Sequence, residues 1–279
     1  MSETHPSDER GDIDAADQRR AVRERYGDIA AQSGDCWGEA DGTDSCCGPA
    51  PSDADDVARR MGYSTDAVST VPEGANLGLG CGNPTALAAL DAGETVLDLG
   101  SGAGFDCFLA AEEVGPTGRV VGVDMTPEMI ETARENAAES DTENVEFRLG
   151  EIEHLPVADA AVDVVISNCV VNLSPAKARV FSEAYRVLRP GGRLSISDIV
   201  KTTRLPADVR TDLDSLTGCV AGASRIAELD TMLTDAGFEA VSIEPADDSE
   251  EFISEWDAER DLSDYVVSAT IEAHKPNPT

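Results

Sequence analysis

Three cysteines stand in segments that suit a reactive site. Cys81 lies in Gly78-Leu-Gly-Cys-Gly-Asn83, Cys169 closes Val162-Asp-Val-Val-Ile-Ser-Asn-Cys169, and Cys219 lies in Leu216-Thr-Gly-Cys-Val-Ala-Gly222. Thiolates select soft metals and metalloids, and only the deprotonated sulfur ligates. Histidine occurs only at His5, His154 and His274, in none of these segments. The trio therefore suits a thiophilic ion better than a hard cation. A single free cysteine more often packs in a core, which is the reading given to Cys107 in the helical stretch Phe105-Asp-Cys-Phe-Leu-Ala.

Beside these thiols the chain carries an apolar strand that runs into a glycine loop and then a helix: Val96-Leu-Asp-Leu-Gly-Ser-Gly-Ala-Gly-Phe105. Glycines there let the backbone turn sharply and approach a ligand closely. A dinucleotide fingerprint counted from Gly100 would need glycine at position 105, which is Phe105. The spacing Gly100-x-Gly102-x-Gly104 instead resembles motif I of the class I S-adenosylmethionine methyltransferases. The next strand, Arg119-Val-Val-Gly-Val-Asp124, ends in an acid 20 residues after Gly104, where a ribose-binding carboxylate is expected.

The elements that must position these residues alternate in type from Glu94 onward. Strands are expected at about 95–99, 119–124, 144–148, 162–168 and 192–199, with helices near 104–114, 127–139 and 175–188. Pro175 suits the first turn of its helix and Pro190-Gly-Gly192 the turn into the next strand. A helix at about 224–236 ends at Gly237, and Glu239–Ile243 and Tyr265–Ala273 read as closing strands. Such alternation predicts an α/β, doubly wound, Rossmann-like sheet, mostly parallel with a closing antiparallel strand. Cys169 directly follows the fourth strand, and ligands of such sheets bind beyond the strands' carboxyl ends. Residues 1–60 are expected to form a disordered tail and Cys-rich arm, 61–200 the cofactor-binding core, and 201–279 a substrate-site region with the closing strands. Within the first part, Asp17 to Ala31 reads as a helix with Val22, Tyr26 and Ile29 on one face. Ser33 to Asp56 reads as an irregular arm bearing Cys36, Cys46 and Cys47.

Composition narrows the setting. The 279 residues carry 55 Asp and Glu against 21 Lys and Arg, a formal net charge of −34. Nucleic acid and anionic membrane surfaces would be repelled. With hydrophobic content at 41%, the acid reads as the hydrated surface of a salt-adapted protein and not as a disordered chain. Lysine is confined to Lys177, Lys201 and Lys275, which fits the same reading. No apolar run approaches a membrane span and no leader pattern is present, so a cytoplasmic location without membrane association is expected. Seven cysteines spread over nearly 200 residues do not resemble a secreted disulfide scaffold, and no C-x-x-C pair supports structural zinc.

Ser167-Asn-Cys-Val-Val-Asn-Leu173, Gly80-Cys-Gly82 and Gly218-Cys-Val-Ala-Gly-Ala223 look like the cysteine segments of arsenite methyltransferases. Val71-Pro-Glu-Gly-Ala-Asn-Leu-Gly-Leu-Gly-Cys-Gly-Asn-Pro84 is the most family-like stretch, and the match runs from about Tyr26 to the C-terminus. The resemblance implies transfer of methyl groups from S-adenosylmethionine to As(III) bound by Cys81, Cys169 and Cys219, for arsenic detoxification. It also implies an N-terminal cysteine that exchanges thiols with Cys81, for which Cys46 and Cys47 are favoured over Cys36. The implied cofactor set is Asp98, Gly100, Ser101, Gly102, Gly104, Asp124, Met125, Glu151, Ile152 and Asn168, with Asp98 towards the methionine end and Asp124 on the ribose. Arsenite or its thiol conjugates and a reductant, glutathione-like or thioredoxin, are the implied partners. Two alternatives remain: a methyltransferase of a small organic metabolite such as a quinone, and a soft-metal binding protein without turnover.

Overall fold

The computed structural model describes residues 14–34, 51–206, 209, 219–246, 249–254, 256 and 261–278. Its strands are β1 (Thr95–Leu99), β2 (Arg119–Asp124), β3 (Val145–Leu149), β4 (Val162–Asn168), β5 (Leu188–Lys201), β6 (Ser224–Arg225), β7 (Glu239–Pro245) and β8 (Val266–His274). They form one sheet in the order β3-β2-β1-β4-β5-β8-β7, with the short β6 beside β5. Strands β1 to β6 pair in parallel, and β8 is antiparallel to both β5 and β7. The mostly parallel sheet with an antiparallel closure is the expected fold.

Alternation along the strands divides the core between two faces, because successive side chains point to opposite sides of a sheet. Leu97, Leu99, Val121, Val123 and Val165 face α7 (Lys177–Val187) and α8 (Ile226–Ala236), where Phe181, Val187, Leu229 and Leu233 meet them. Val96, Val120, Val164 and Ile166 face the other way, against Phe108, Ala111 and Val114 of α5 (Phe105–Val114) and Ile130 and Ala133 of α6 (Pro127–Glu139). Cys107 is fully buried in this second layer, in keeping with its reading as a core residue. Phe181 has no exposed surface, so Phe181→Ala would cost about 3–5 kcal/mol.

The N-terminal part is more helical than expected. Helix α1 (Ala15–Gly34) starts within the stretch read as disordered, and α2 (Pro51–Arg60) starts within the stretch read as an irregular arm. The α2 segment carries proline at its first position, and Arg59 and Arg60 in its last turn complement the helix dipole. Two short helices, α3 (Thr65–Thr70) and α4 (Pro84–Ala88), follow, capped by Ser64 Oγ accepting from Ala67 N and Asn83 Oδ1 accepting from Ala86 N. Pro175 does not enter the first turn of α7, which begins at Lys177 after the cap Ala176. Strand β5 starts at Leu188, earlier than expected, and a register shift between Val162 and Val164 accommodates Pro190-Gly-Gly192.

Strand order reverses between β1 and β4: connections from β1 lead outward through β2 and β3, and those from β4 lead through β5. Loops that leave these two strands diverge and open a crevice at their carboxyl ends. The glycine loop leaves β1 and Cys169 leaves β4.

Candidate active site

The crevice holds a cleft of about 1030 Å³, counting its open mouth. Asp98, Gly100, Ser101, Gly102, Asp124, Met125, Ile152, Asn168 and Cys169 line it, together with Arg19, Val22 and Tyr26 of α1 and Asp106, Met129 and Glu153. Gly100 N and Ser101 N donate to Val123 O at 2.7 and 3.1 Å, which folds the loop back over β2. Asp124 ties the same loop down, accepting from Gly102 N at 3.0 Å and from Thr126 N at 2.8 Å. Burial pushes the Asp124 carboxyl up, and these backbone donors oppose the shift.

The residues present fit S-adenosylmethionine. Ser101 Oγ is buried with no partner, and a buried hydroxyl in a cleft wall needs a polar ligand. Asp124 Oδ1 and Oδ2 each accept one loop amide and keep lone-pair capacity that a diol can use. Asp98 is 2% exposed, accepts from Cys107 Sγ at 3.3 Å, and is pushed up by burial and by the neighbouring Asp106. A buried acid of this kind favours a cationic amine beside it.

Two expected cofactor residues do not line the cleft. Gly104 caps α5 with φ +100°, and a Cβ there would stand 2.7 Å from Phe147, so it serves helix packing. Glu151 turns towards α1, 3.7 Å from Arg19 and 3.6 Å from Arg23, and Glu153 occupies the wall instead.

The three cysteines converge, but they do not stand as the three free thiolates that the sequence led us to expect. Cys81 and Cys169 are joined in a disulfide, with 5.8 Å between their Cα atoms, and Cys219 remains a thiol that donates to Cys169 O at 2.7 Å. Cys81 is therefore bridged to Cys169 in this structure. Cys36, Cys46 and Cys47 lie outside the described residues.

Local backbone holds this arrangement under strain. Cys169 and Cys219 have φ of 58° and 69°, a left-handed conformation that costs a side-chain-bearing residue about 1–2 kcal/mol. Gly80 has φ +122°, and a Cβ there would meet the Asn168 amide at 2.8 Å, so glycine is what lets the Cys81 loop press against the end of β4. Ser268 Oγ donates to Cys81 O at 2.7 Å from the far side. Around the sulfurs pack Val22, Leu173, Ile199, Leu205, Val220, Ala223 and Leu262. Burial, with Asp198 next in effect, pushes the Cys219 thiol well above its ordinary value.

Asp198 was not anticipated from sequence. Its carboxylate and the two bridged sulfurs lie within 4.8 Å of one another. Asn172 Nδ2 and N and Ile199 N donate to it at 2.8, 3.1 and 2.8 Å, while burial pushes its pKa up to about 6. The available signal was an acid inside the otherwise small and apolar Ser195-Ile-Ser-Asp-Ile-Val200, since ionisable residues are rarely buried without partners. Helix α1 was also underestimated: Gln18 Nε2 donates to Leu173 O at 2.9 Å and Arg19 to Glu153 at 3.2 Å, which roofs both the cleft and the sulfurs.

Comparison with known proteins agrees with this geometry. Residues 90–237 match a family described as a methyltransferase domain. An arsenite methyltransferase of Halobacterium salinarum is 63% identical over 271 residues, 95% of this chain and 68% of the relative. One from Aquipseudomonas alcaligenes is 40% identical over 211 residues, 73% of this chain and 57% of the relative, so the chain spans about two thirds and just over half of these two proteins. Among solved structures, an arsenic(III) S-adenosylmethionine methyltransferase from Chlamydomonas reinhardtii superposes with a TM-score of 0.57 at 36% identity, covering 82% of this chain and 75% of that one.

Proposed function

The chain belongs to the arsenite methyltransferase family, and from that premise we propose that it methylates As(III) held by Cys81, Cys169 and Cys219, in arsenic detoxification. S-adenosylmethionine supplies a sulfonium methyl group that the arsenic lone pair accepts, with S-adenosylhomocysteine as the other product. Support for the ligand set comes from one observation: three cysteines distant in sequence meet in a buried cluster whose member Cys169 lines the glycine-loop cleft.

Each residue then has a definable task. Two electrons and two protons convert the Cys81–Cys169 bridge into two thiols, so a thiol reductant, glutathione-like or thioredoxin, acts before substrate is captured. Three thiols displace three hydroxyls of arsenous acid as water, leaving trigonal As(III) with its lone pair. The apolar pocket admits the neutral acid and excludes bulk water, and the left-handed backbone at Cys169 and Cys219 sets the direction from which each side chain enters it. No general base is required, because the nucleophile carries no proton. Methyl transfer would leave arsenic formally pentavalent on three sulfurs; attack of the Cys46 or Cys47 thiolate on the Cys81 sulfur would form a disulfide and leave the As–S electron pair on arsenic, giving trivalent methylarsenic on Cys169 and Cys219, so Cys81 is needed for arsenite and dispensable for methylarsenite. Asp98, Ser101, Asp124 and the loop amides hold the cofactor, and the thiol reductant then renews Cys81 by thiol exchange. Arsenite is the substrate, no helix among the described residues is long and apolar enough to cross a membrane, and we place the activity in a salt-rich cytoplasm.

Product speciation after incubation with arsenite, cofactor and a thiol reductant tests the reading. Methylated arsenic should form with reductant and be absent without it. Methylation of quinones in place of arsenite would overturn it.

A further inference from the structure

Asn168 stands between the two halves of the site, and its amide is oriented by a residue outside both. Asn168 Oδ1 accepts from Cys81 N at 2.9 Å, while Nδ2 donates to Gly82 O at 2.8 Å, Tyr63 Oη at 3.1 Å and Asp106 Oδ2 at 3.3 Å. The Tyr63 hydroxyl donates in turn to Asp106 Oδ1 at 2.6 Å. With its proton committed to Asp106, the phenol offers Asn168 only lone pairs, so it accepts Nδ2 and disfavours Oδ1. A flipped amide would set donor against donor at Cys81 N and acceptor against acceptor at Gly82 O. Either mismatch would release the loop that carries Cys81.

Tyr63 itself is buried, 4% exposed, with its ring edge-on to Phe105 at 4.9 Å between centroids. It is absent from the cleft wall. We propose that Tyr63 is a positioning residue: its phenol, oriented by Asp106, locks the Asn168 amide in the one sense that holds the Cys81 loop against Cys169. This rests on the reading in which Cys81 serves arsenite and not methylarsenite. Tyr63 should therefore matter to the substrate that needs three sulfurs and be indifferent to the one that needs two, although it touches neither.

The experiment compares Tyr63→Phe, Asn168→Ser and Cys81→Ser in the full chain with reductant present, measuring kcat and KM for arsenite and for methylarsenite and calorimetric cofactor affinity. Tyr63→Phe removes one hydrogen-bonding hydroxyl and keeps the ring. It should raise KM for arsenite about three- to tenfold, the equivalent of one neutral hydrogen bond, and leave methylarsenite kinetics and cofactor affinity within about twofold. Asn168→Ser removes the contact to Cys81 N itself and should raise KM for arsenite more strongly still, and it leaves the Tyr63 ring in place should the first variant fold poorly; because Asn168 also lines the cleft, its cofactor affinity should fall as well, and its arsenite-to-methylarsenite ratio is read at saturating cofactor. Equal losses on both substrates, or, in Tyr63→Phe, weakened cofactor binding that accounts for the loss, would overturn the positioning role while Cys81→Ser remains selective for methylarsenite. A Cys81→Ser variant that loses both substrates equally would remove the underlying reading of Cys81, and the inference with it.

Discussion

The cofactor cleft and the sulfur pocket share the ends of β1 and β4, yet they are built in opposite ways. The cleft is made of backbone amides and carboxylates on consecutive strand ends, Gly100, Ser101 and Gly102 after β1 and Asp124 as the last residue of β2. Regular elements bring these groups together by topology alone. The sulfur pocket draws one cysteine from each of three separate loops, two of them in left-handed conformation, and one pair is oxidised. A site assembled from strand ends binds in either redox state. A site assembled from thiols works only when reduced, so the two halves can be separated by experiment.

The largest expected difference is between Cys219→Ser and the parent protein. Serine keeps the shape but not the soft ligand, and both arsenite and methylarsenite should cease to be methylated to any detectable extent. Calorimetric titration with S-adenosylmethionine should meanwhile give an affinity within about twofold of the parent. Retained methylation would detach the sulfur pocket from the chemistry, and a collapse of cofactor affinity would mean that the halves are not separable.

Asp124→Ala should do the converse. Hydrogen bonds involving a charged group contribute about 1.5–3 kcal/mol each, so the cofactor Kd should rise at least about tenfold with arsenite binding nearly unchanged. Because Asp124 also ties down Gly102 and Thr126, some of that loss will come from a looser loop. Asp124→Asn keeps the shape and tests the charge alone. Unaltered affinity in both variants would sink the ribose assignment.

What the sequence disclosed divides along the same line. Strand β1, the glycine loop and Asp124 lie in one continuous pattern of period and spacing, and their structure follows that pattern closely. Cys81, Cys169 and Cys219 were recognisable as a set from their segments, but not their bonding, because no local rule says which sulfurs approach within bonding distance. Gly104 and Glu151 were assigned by analogy to the cleft, and the packing of α5 and the pull of Arg19 and Arg23 took them elsewhere. Asp198, Tyr63 and the roof formed by α1 depend on contacts across long sequence separations, and only the buried acid within β5 left a local trace.

A smaller effect concerns pH. Burial raises Asp106 from its ordinary range to about 6, against the opposing hydrogen bonds of Tyr63 and Asn168. Between the unfolded value near 4 and the folded value near 6, the native protein keeps a proton that the unfolded chain has lost. Stability should therefore be highest below about pH 4 on account of this group and fall as pH rises to about 6, by at most about 3 kcal/mol. Denaturant midpoints at constant molar KCl should show a shallower decline for Asp106→Asn, with a residual slope left by Asp98 and Asp198. An unchanged slope would mean that Asp106 ionises as it does in the unfolded chain, the hydrogen bonds from Tyr63 and Asn168 offsetting its burial in full.

The smallest expected difference between the two halves is the one produced by salt, because surface charge belongs to neither. With a net charge of −34, repulsion acts on the whole folded chain. Screening shortens from about 10 Å at 0.1 M salt to about 3 Å at 1 M, so thermal midpoints should rise from 0.1 to 2 M KCl. Cofactor binding and arsenite binding, each limited by the folded fraction, should then rise together and keep their ratio. Part of any gain reflects apolar burial, which salts and osmolytes strengthen in general, and sucrose controls for this since it stabilises without screening. A midpoint that ignores KCl would leave the acidic surface without a salt-adaptive role. If salt favoured arsenite over cofactor, cations would be acting locally at the sulfur pocket, where the buried Asp198 carboxylate lies within 4.8 Å of the bridged sulfurs.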